Sequence, residues 1–455
     1  MAASTPNSPG RSFTQKHSGK QFFLVVSIAI VAIILDISIT RLSDLTLKTT
    51  SSWMVVLFAV IAGISFAGQN LILRLIKQKA DKSIPAQKSL RLDWIYKAAI
   101  AIHYVLVIIS VIVILQIIIT SHYDAVFLNT AAAISYAFAI ITMGILCHRF
   151  FSWFRSDKTN VMFLYGLSSL MIAANLCITL WLVSNILIAR PMEIVPHSML
   201  HAPDITDPVN NALNYAYIIT TITSFIITWC ATMALLKNYM QKTRKFTYWI
   251  LLFLPLVYFV SQFLVLYLGF LGPLLISNPV FYGILITIIF TLSKPIGGII
   301  FGIGFWMTSR NIQKDNIVRS YLIMSGCGFV LLFTSNQAIV LTFTPYPPFG
   351  LVTISFVGLA SCLVLAGIYS SAISISHDAN LRREIRRLAL RESNLLDSIG
   401  TAQMEQEIVK RVVTVAKKHS DSIIEQTGVQ PSLSEHDMKQ YMETVLREIK
   451  TSKEK

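Results

Sequence analysis

The chain has 455 residues, 54% of them apolar and only 13% charged, with a formal net charge of +15. Soluble domains carry about 25% charged residues. This composition therefore excludes an ordinary soluble enzyme, a disordered chain and a fibrous protein, and it describes an all-α, polytopic membrane protein.

Residues 1–20 are polar, contain Ser, Pro, Gly and three basic residues, and read as a disordered cytoplasmic N-terminus. The apolar run that follows is longer than the 7–15 residues typical of a cleaved signal peptide and is expected to be a retained first span. A spanning helix needs about 20 mostly apolar residues. Ten runs qualify: roughly 21–40, 52–72, 97–120, 125–148, 161–189, 212–236, 246–270, 280–307, 319–343 and 351–375. Alternating ten-residue strands, as in a membrane barrel, are not seen.

The charges between the runs orient them. With the N-terminus inside, the cytoplasmic segments hold 20 Lys and Arg residues, and the external loops hold only Arg41, Lys48 and Arg190. This asymmetry predicts both termini in the cytoplasm and an even number of spans. The protein is expected in the cell membrane, its inner face against anionic headgroups. No basic face interleaved with aromatics occurs in a soluble segment, so no nucleic-acid partner is expected.

The largest external loop, 190–211, carries His197 and His201 at a spacing that could put two metal ligands on one helix face, but Pro196 and Pro203 disfavour that helix. All five cysteines lie in apolar runs without a CxxC or Cys/His spacing, so neither a disulfide framework nor a metal site is expected. Glycines are sparse in the spans before residue 270 and dense afterwards, which predicts closer helix packing in the second half. Gly298-x-x-x-Gly302 is one small-residue contact of that kind.

The segment Lys294-Pro295-Ile296-Gly297-Gly298 lies deep in the eighth run. A lysine at the bilayer centre costs roughly 2.5–3.5 kcal/mol on insertion scales. Pro295 has no amide proton and frees the carbonyl four residues earlier, and the glycines loosen the next turn. The combination predicts a kinked or broken helix with an ammonium beside unpaired carbonyls, a candidate anion or proton site or a gating hinge; the structural alternative is a kink whose lysine satisfies local carbonyls. Asp36 is the one acid inside any run. At 1.5 Å per residue, Asp36 and Lys294 are offset in depth by roughly 12 Å, which disfavours a direct ion pair. His103 in the third run is the nearer match in depth to Lys294. Asn175, Gln262, Asn336 and Gln337 read as interhelical hydrogen-bond formers.

Nucleotide-loop, zinc-protease and nucleophile-elbow motifs are absent, so no catalytic residue, cofactor or enzymatic activity is expected. Residues 376–455 form a cytoplasmic, amphipathic tail expected to continue from the last span without a break. Leu381, Ile385, Leu388 and Leu395 follow heptad spacing. Ile408, Val412, Val415, His419 and Ile423 extend an apolar stripe, and a third helix is predicted from Ser434. Through 377–455 the protein is expected to self-associate or to bind a cytoplasmic partner. The leading expectation is a non-enzymatic membrane sensor or signalling component. The alternatives are a secondary transporter or channel using a broken helix at Lys294–Gly298, and a membrane scaffold or assembly subunit.

Overall fold

The computed structural model describes residues 10–46, 52–81, 86–189, 192–194, 208–237, 245–268, 271–310, 312–313, 316–337, 340–343, 346–389 and 394–427, with parts of 437–448. Its helices are α1 (Gly10–Thr46), α2 (Ser52–Asp81), α3 (Ala86–Thr120), α4 (Ala125–Ser156), α5 (Asn160–Ile188), α6 (Pro208–Leu236), α7 (Lys245–Leu268), α8 (Gly272–Ser277), α9 (Pro279–Arg310), α10 (Ile317–Ser335), α11 (Val340–Phe343), α12 (Leu351–His377), α13 (Ala379–Ala389) and α14 (Asn394–Thr427). Two two-residue strands, β1 (Tyr123–Asp124) and β2 (Glu193–Ile194), pair antiparallel across the α3–α4 and α5–α6 connections.

Nine helices among the described residues are long and apolar enough to cross a membrane. The tenth expected span, 246–270, coincides with α7, whose described apolar stretch is shorter, Leu252–Val265. Large apolar side chains on α1, α2 and α3, including Leu24, Val31, Val56, Ile108 and Ile118, face outward. In water such a surface would be unfavourable, whereas lipid is as apolar as these side chains.

Three expectations are corrected. Residues 10–20 are not disordered but form the first turns of α1; beyond Pro9 nothing breaks the chain, and extending an existing helix is far easier than nucleating one. The ninth run is not one helix to residue 343: α10 stops at Ser335, and a short α11 follows. The last span does not run on into the tail. Helix α12 ends at His377, Asp378 is extended, and its side chain accepts from the backbone N–H groups of Asn380 and Leu381, which caps α13.

The bundle is organised around α12. Every residue of its most apolar stretch is buried, and it packs against α4 and α10 most extensively and also against α1, α2, α3 and α14. Its sequence makes this feasible, because Ser, Gly, Ala and Thr recur where neighbours come close. The Ser135 hydroxyl donates to the Ile354 carbonyl at 2.6 Å, and Thr142 donates to Ser361 at 2.8 Å. A Cβ on Gly328 of α10 would meet the Val364 backbone nitrogen at 2.8 Å.

Apart from Gly166, whose would-be Cβ lies 3.3 Å from Phe150, the described glycines of the spans before residue 270 are open, and those from Gly297 onward are close-packed. Gly63, Gly68 and Gly144 have nothing within 4 Å of a would-be Cβ, whereas Gly302 and Gly326 each lie 2.8 Å from the other's carbonyl oxygen by that measure. Helices α9 and α10 therefore meet backbone to backbone, as the small-residue spacing predicts.

Candidate functional site

Helix α9 is not broken at Pro295; the proline sits inside a continuous helix. Its missing N–H would have served the Thr291 carbonyl. The Gln337 side-chain amide donates to that carbonyl instead, at 3.4 Å. Gln337 belongs to the segment just past the end of α10, so the gap in α9 and the end of α10 share one partner.

Lys294 is buried. Its ammonium donates to the Asn336 backbone carbonyl at 2.8 Å and to the Tyr217 hydroxyl of α6 at 3.1 Å, and it stands 5.3 Å from the Tyr217 ring centroid. Asn336 is the C-cap of α10. The last carbonyls of a helix lack intrahelical partners and carry its partial negative charge, so a cation is favourable there. Asn336 also organises its surroundings. Its amide donates to Asn175 of α5 at 2.9 Å and its side-chain oxygen accepts from Tyr136 of α4 at 3.4 Å. Asn175 in turn donates to Thr220 and Thr221 of α6 at 3.1 and 2.8 Å. One polar network thus joins α4, α5, α6, α9 and the end of α10.

Pro295 and the glycines allow this approach. A side chain on Gly297 would collide with the Phe225 ring, which stacks on Phe259. One on Gly298 would press on Phe333 of α10 at 3.0 Å. These positions are close-packed contact points.

Asp36 of α1 is fully buried. One carboxylate oxygen accepts from the Gly350 N–H at 3.0 Å, the Thr353 N–H at 3.2 Å and the Thr353 hydroxyl at 2.6 Å. The other has no partner among the described residues. Gly350 is the N-cap of α12 and has φ +97°, a left-handed conformation suited to glycine. A glycine N-cap offers no acceptor of its own, so Asp36 supplies from another helix what an N-cap Ser or Asp usually supplies from within. Its negative charge also lies at the positive end of α12.

Lys294 and Asp36 do not touch, yet they hold the two ends of one connection. Lys294 binds the last carbonyl of α10 and Asp36 binds the first amides of α12. Between them lie the short helix α11 and described non-helical residues on either side of it, with Gln337, Leu341 and Phe349 buried. Non-helical backbone at membrane depth is tolerated where protein covers it, and the two charges sit where that backbone begins and ends.

His103 belongs to neither centre. Its Nδ1 is 3.1 Å from the Gln69 side-chain oxygen, and Gln69 donates to Ser355 of α12 at 2.7 Å. Beside them is a cavity of about 10 Å³ lined by Gln69, His103, Phe138, Ser355 and Gly358, close to the least volume that holds one water. The residues grouped by sequence therefore separate into three places, each touching α12 or its entrance. Nothing along the chain marks Tyr217 or Gly350 as partners. The adjacent amides Asn336 and Gln337, interrupting an apolar run, were the available signal for the α10 terminus.

At its other end α12 meets the tail. A Cβ on Gly400 of α14 would collide with Ile375, so the two helices are in close contact. Gln403 accepts from the Trp153 indole at 3.0 Å, and Gln406 donates to the Ser152 hydroxyl at 2.9 Å. Ser376 donates to Glu407 at 3.4 Å. Leu381 and Ile385 of α13 are buried with Leu395, Leu396 and Ile399 of α14. Ile408, Val412 and Val415 are exposed further along α14. Asp397 is half-buried with Arg386 at 3.7 Å. Burial pushes its carboxyl upward more than Arg386 holds it down.

No cluster of three metal-ligating side chains occurs among the described residues. His197, His201 and Ser434 lie outside them. No protein-family model, curated protein or solved structure matches this chain.

Proposed function

We propose that this protein is a non-enzymatic membrane sensor or signalling component in the cell membrane, with both termini cytoplasmic. The observation that supports this reading is the bonding of α12 at both ends: Asp36 caps its N-terminus, and α14 packs on its C-terminal turn. A helix buried along its length cannot shift at one end without disturbing its neighbours, because packed interiors are close to incompressible. In this reading a change at the α10–α12 connection is passed along α12 to the docked part of α14, and the exposed stripe of Ile408, Val412 and Val415 receives a partner or a second copy.

The test is a cross-link between cysteines introduced at Ser152 and Gln406 in the full chain in membranes. Asp36→Asn keeps an acceptor and the side-chain shape but removes the charge. A sensor predicts a severalfold change in cross-linking rate in this variant while it remains folded. An unchanged rate would leave α12 as a passive core helix and remove the reading.

A transporter reading draws on a different observation, the irregular α10–α12 connection beside a buried lysine. Uptake by reconstituted protein that fails in Lys294→Met would favour it over the sensor.

A further inference from the structure

We propose that Lys294 is the centre of a binding site for a small monovalent anion, of the halide, nitrate or short-carboxylate class. The inference deepens the sensor reading by naming its stimulus, and it is measured without reference to the tail.

Charge is the first argument. Lys294 is 7% exposed, and buried charges are ordinarily paired. Asp36 is the one acid within any apolar run, and its bonded oxygen is committed to Gly350 and Thr353. Among the described residues no carboxylate forms an ion pair with Lys294. Its partners are one carbonyl and one phenol. A helix end offers about half a negative charge, so the ammonium is compensated only in part. An ammonium has three N–H donors, and two of them are used.

The second argument is the set of polar groups on its face of α9 and at the adjoining helix end. Thr287, Thr291 and Lys294 follow one another at four and three residues and so share a face of α9. That face leads from the Pro279 end of the helix down to the ammonium. Among the described residues the buried hydroxyls of Thr287 and Thr291 have no partner, nor do the Ser335 hydroxyl, on the residue before Asn336, and the side-chain nitrogen of Gln262. Gln262 is tied to the same turn of α9, since its oxygen accepts from Ser293 at 2.9 Å. Unpartnered buried polar groups are costly and rare in native proteins. Lys294 and the Gln262 nitrogen can only donate, and the three hydroxyls can donate. Unpartnered donors on the same face and the same turn of α9 as an under-compensated cation call for an acceptor with negative charge.

A divalent anion would over-neutralise a single lysine, which sets the class as monovalent. Binding forms and breaks no covalent bond. The ammonium's unused N–H and the Thr291 hydroxyl turn to the anion, and the ammonium's bond to the Asn336 carbonyl weakens as it shifts toward the charge.

The experiment uses the purified full chain in lipid nanodiscs. Thermal unfolding is followed while chloride, bromide, nitrate or acetate replaces gluconate at constant ionic strength, and radiolabelled chloride binding is measured by equilibrium dialysis. A bound ligand stabilises in proportion to the logarithm of its concentration above its dissociation constant. Wild type should show this saturable rise. Lys294→Met should abolish it, and Thr291→Val should weaken the apparent affinity severalfold with the lysine intact. Absence of any rise in wild type overturns the proposal, as does a rise that persists undiminished in Lys294→Met. Should the Met variant fail to fold, Thr291→Val decides, and unaltered affinity there overturns the site. Anion binding combined with an unchanged Ser152–Gln406 cross-link in Asp36→Asn would retain the site and remove the sensor.

Discussion

Replacing Asp36 by alanine removes the acceptor that α1 presents to α12. Two backbone amides, Gly350 and Thr353, and the Thr353 hydroxyl lose their partner at 3.0, 3.2 and 2.6 Å. The hydroxyl can rotate towards another acceptor, but the amides are fixed by the helix. Each stranded buried amide costs about 1–3 kcal/mol. Part of that is recovered because the buried charge disappears, and part because helices separated in lipid find other partners. The net loss should be about 2–4 kcal/mol. Thr353→Val removes only the hydroxyl bond and keeps both amides on the carboxylate, so its cost should be about 1 kcal/mol, between the average of about 0.6 and the maximum of about 1.7 kcal/mol for interhelical hydrogen bonds in membranes. Reversible unfolding in mixed micelles measures both variants, and the double variant should cost less than their sum, since both act on one oxygen. A loss below about 1 kcal/mol for Asp36→Ala, or one equal to that of Thr353→Val, would refute the claim that Asp36 caps α12.

Gly302→Ala should separate α9 from α10 and lower the melting temperature clearly, because a Cβ there lies 2.7 Å from a Val330 methyl and 2.8 Å from the Gly326 carbonyl oxygen. Gly144→Ala, with open space around it, should be neutral or stabilise by about 0.5–1 kcal/mol through helix propensity, and thermal melts of the two variants check the contrast. Asp397 predicts a pH dependence of tail docking. Its folded-state carboxyl is raised by burial, so its contribution is favourable in acid, where it is protonated, and is lost as pH rises through the folded value. Asp397→Asn should therefore flatten the pH profile of protease protection of α14 and leave docking at neutral pH unharmed or improved.

The spans and the glycine-dense half were readable because they are local properties: hydropathy over about 20 residues and the small-residue spacing of Gly298 and Gly302. The role of Pro295 was half readable. Sequence shows that it frees the Thr291 carbonyl, but not that Gln337, far along the chain, serves it. Lys294 and Asp36 stood out because charge in an apolar run is costly. Their partners did not, since each binds backbone groups that any residue could supply, and Tyr217 and Thr353, whose hydroxyls join them, are ordinary residues in apolar runs. The end of α10 was misread for a related reason: Ala338 to Phe343 stays apolar, so hydropathy continues where the helix does not. Sequence treats Asp36 and Lys294 as a candidate pair to be judged by depth. The fold relates them through the α10–α12 connection, a relation between helix ends that has no signature along the chain.

The two buried charges differ in how far their surroundings compensate them. A helix terminus supplies about half an elementary charge of the opposite sign. Asp36 adds three hydrogen bonds to its half, two of them from rigid backbone amides. Lys294 adds a carbonyl and a phenol, and the phenol sits on α6, a separate helix. Asp36 is thus the firmer anchor and Lys294 the looser one. A negative ligand at Lys294 would draw the ammonium's remaining N–H toward itself and weaken its hold on the Asn336 carbonyl. The connection would loosen at its α10 end while Asp36 kept the α12 end in place. Because Asp36 keeps the entrance of α12 attached, the movement of the α10 side would pass into α12 as strain, and the far end of α12, packed on α14, would report it.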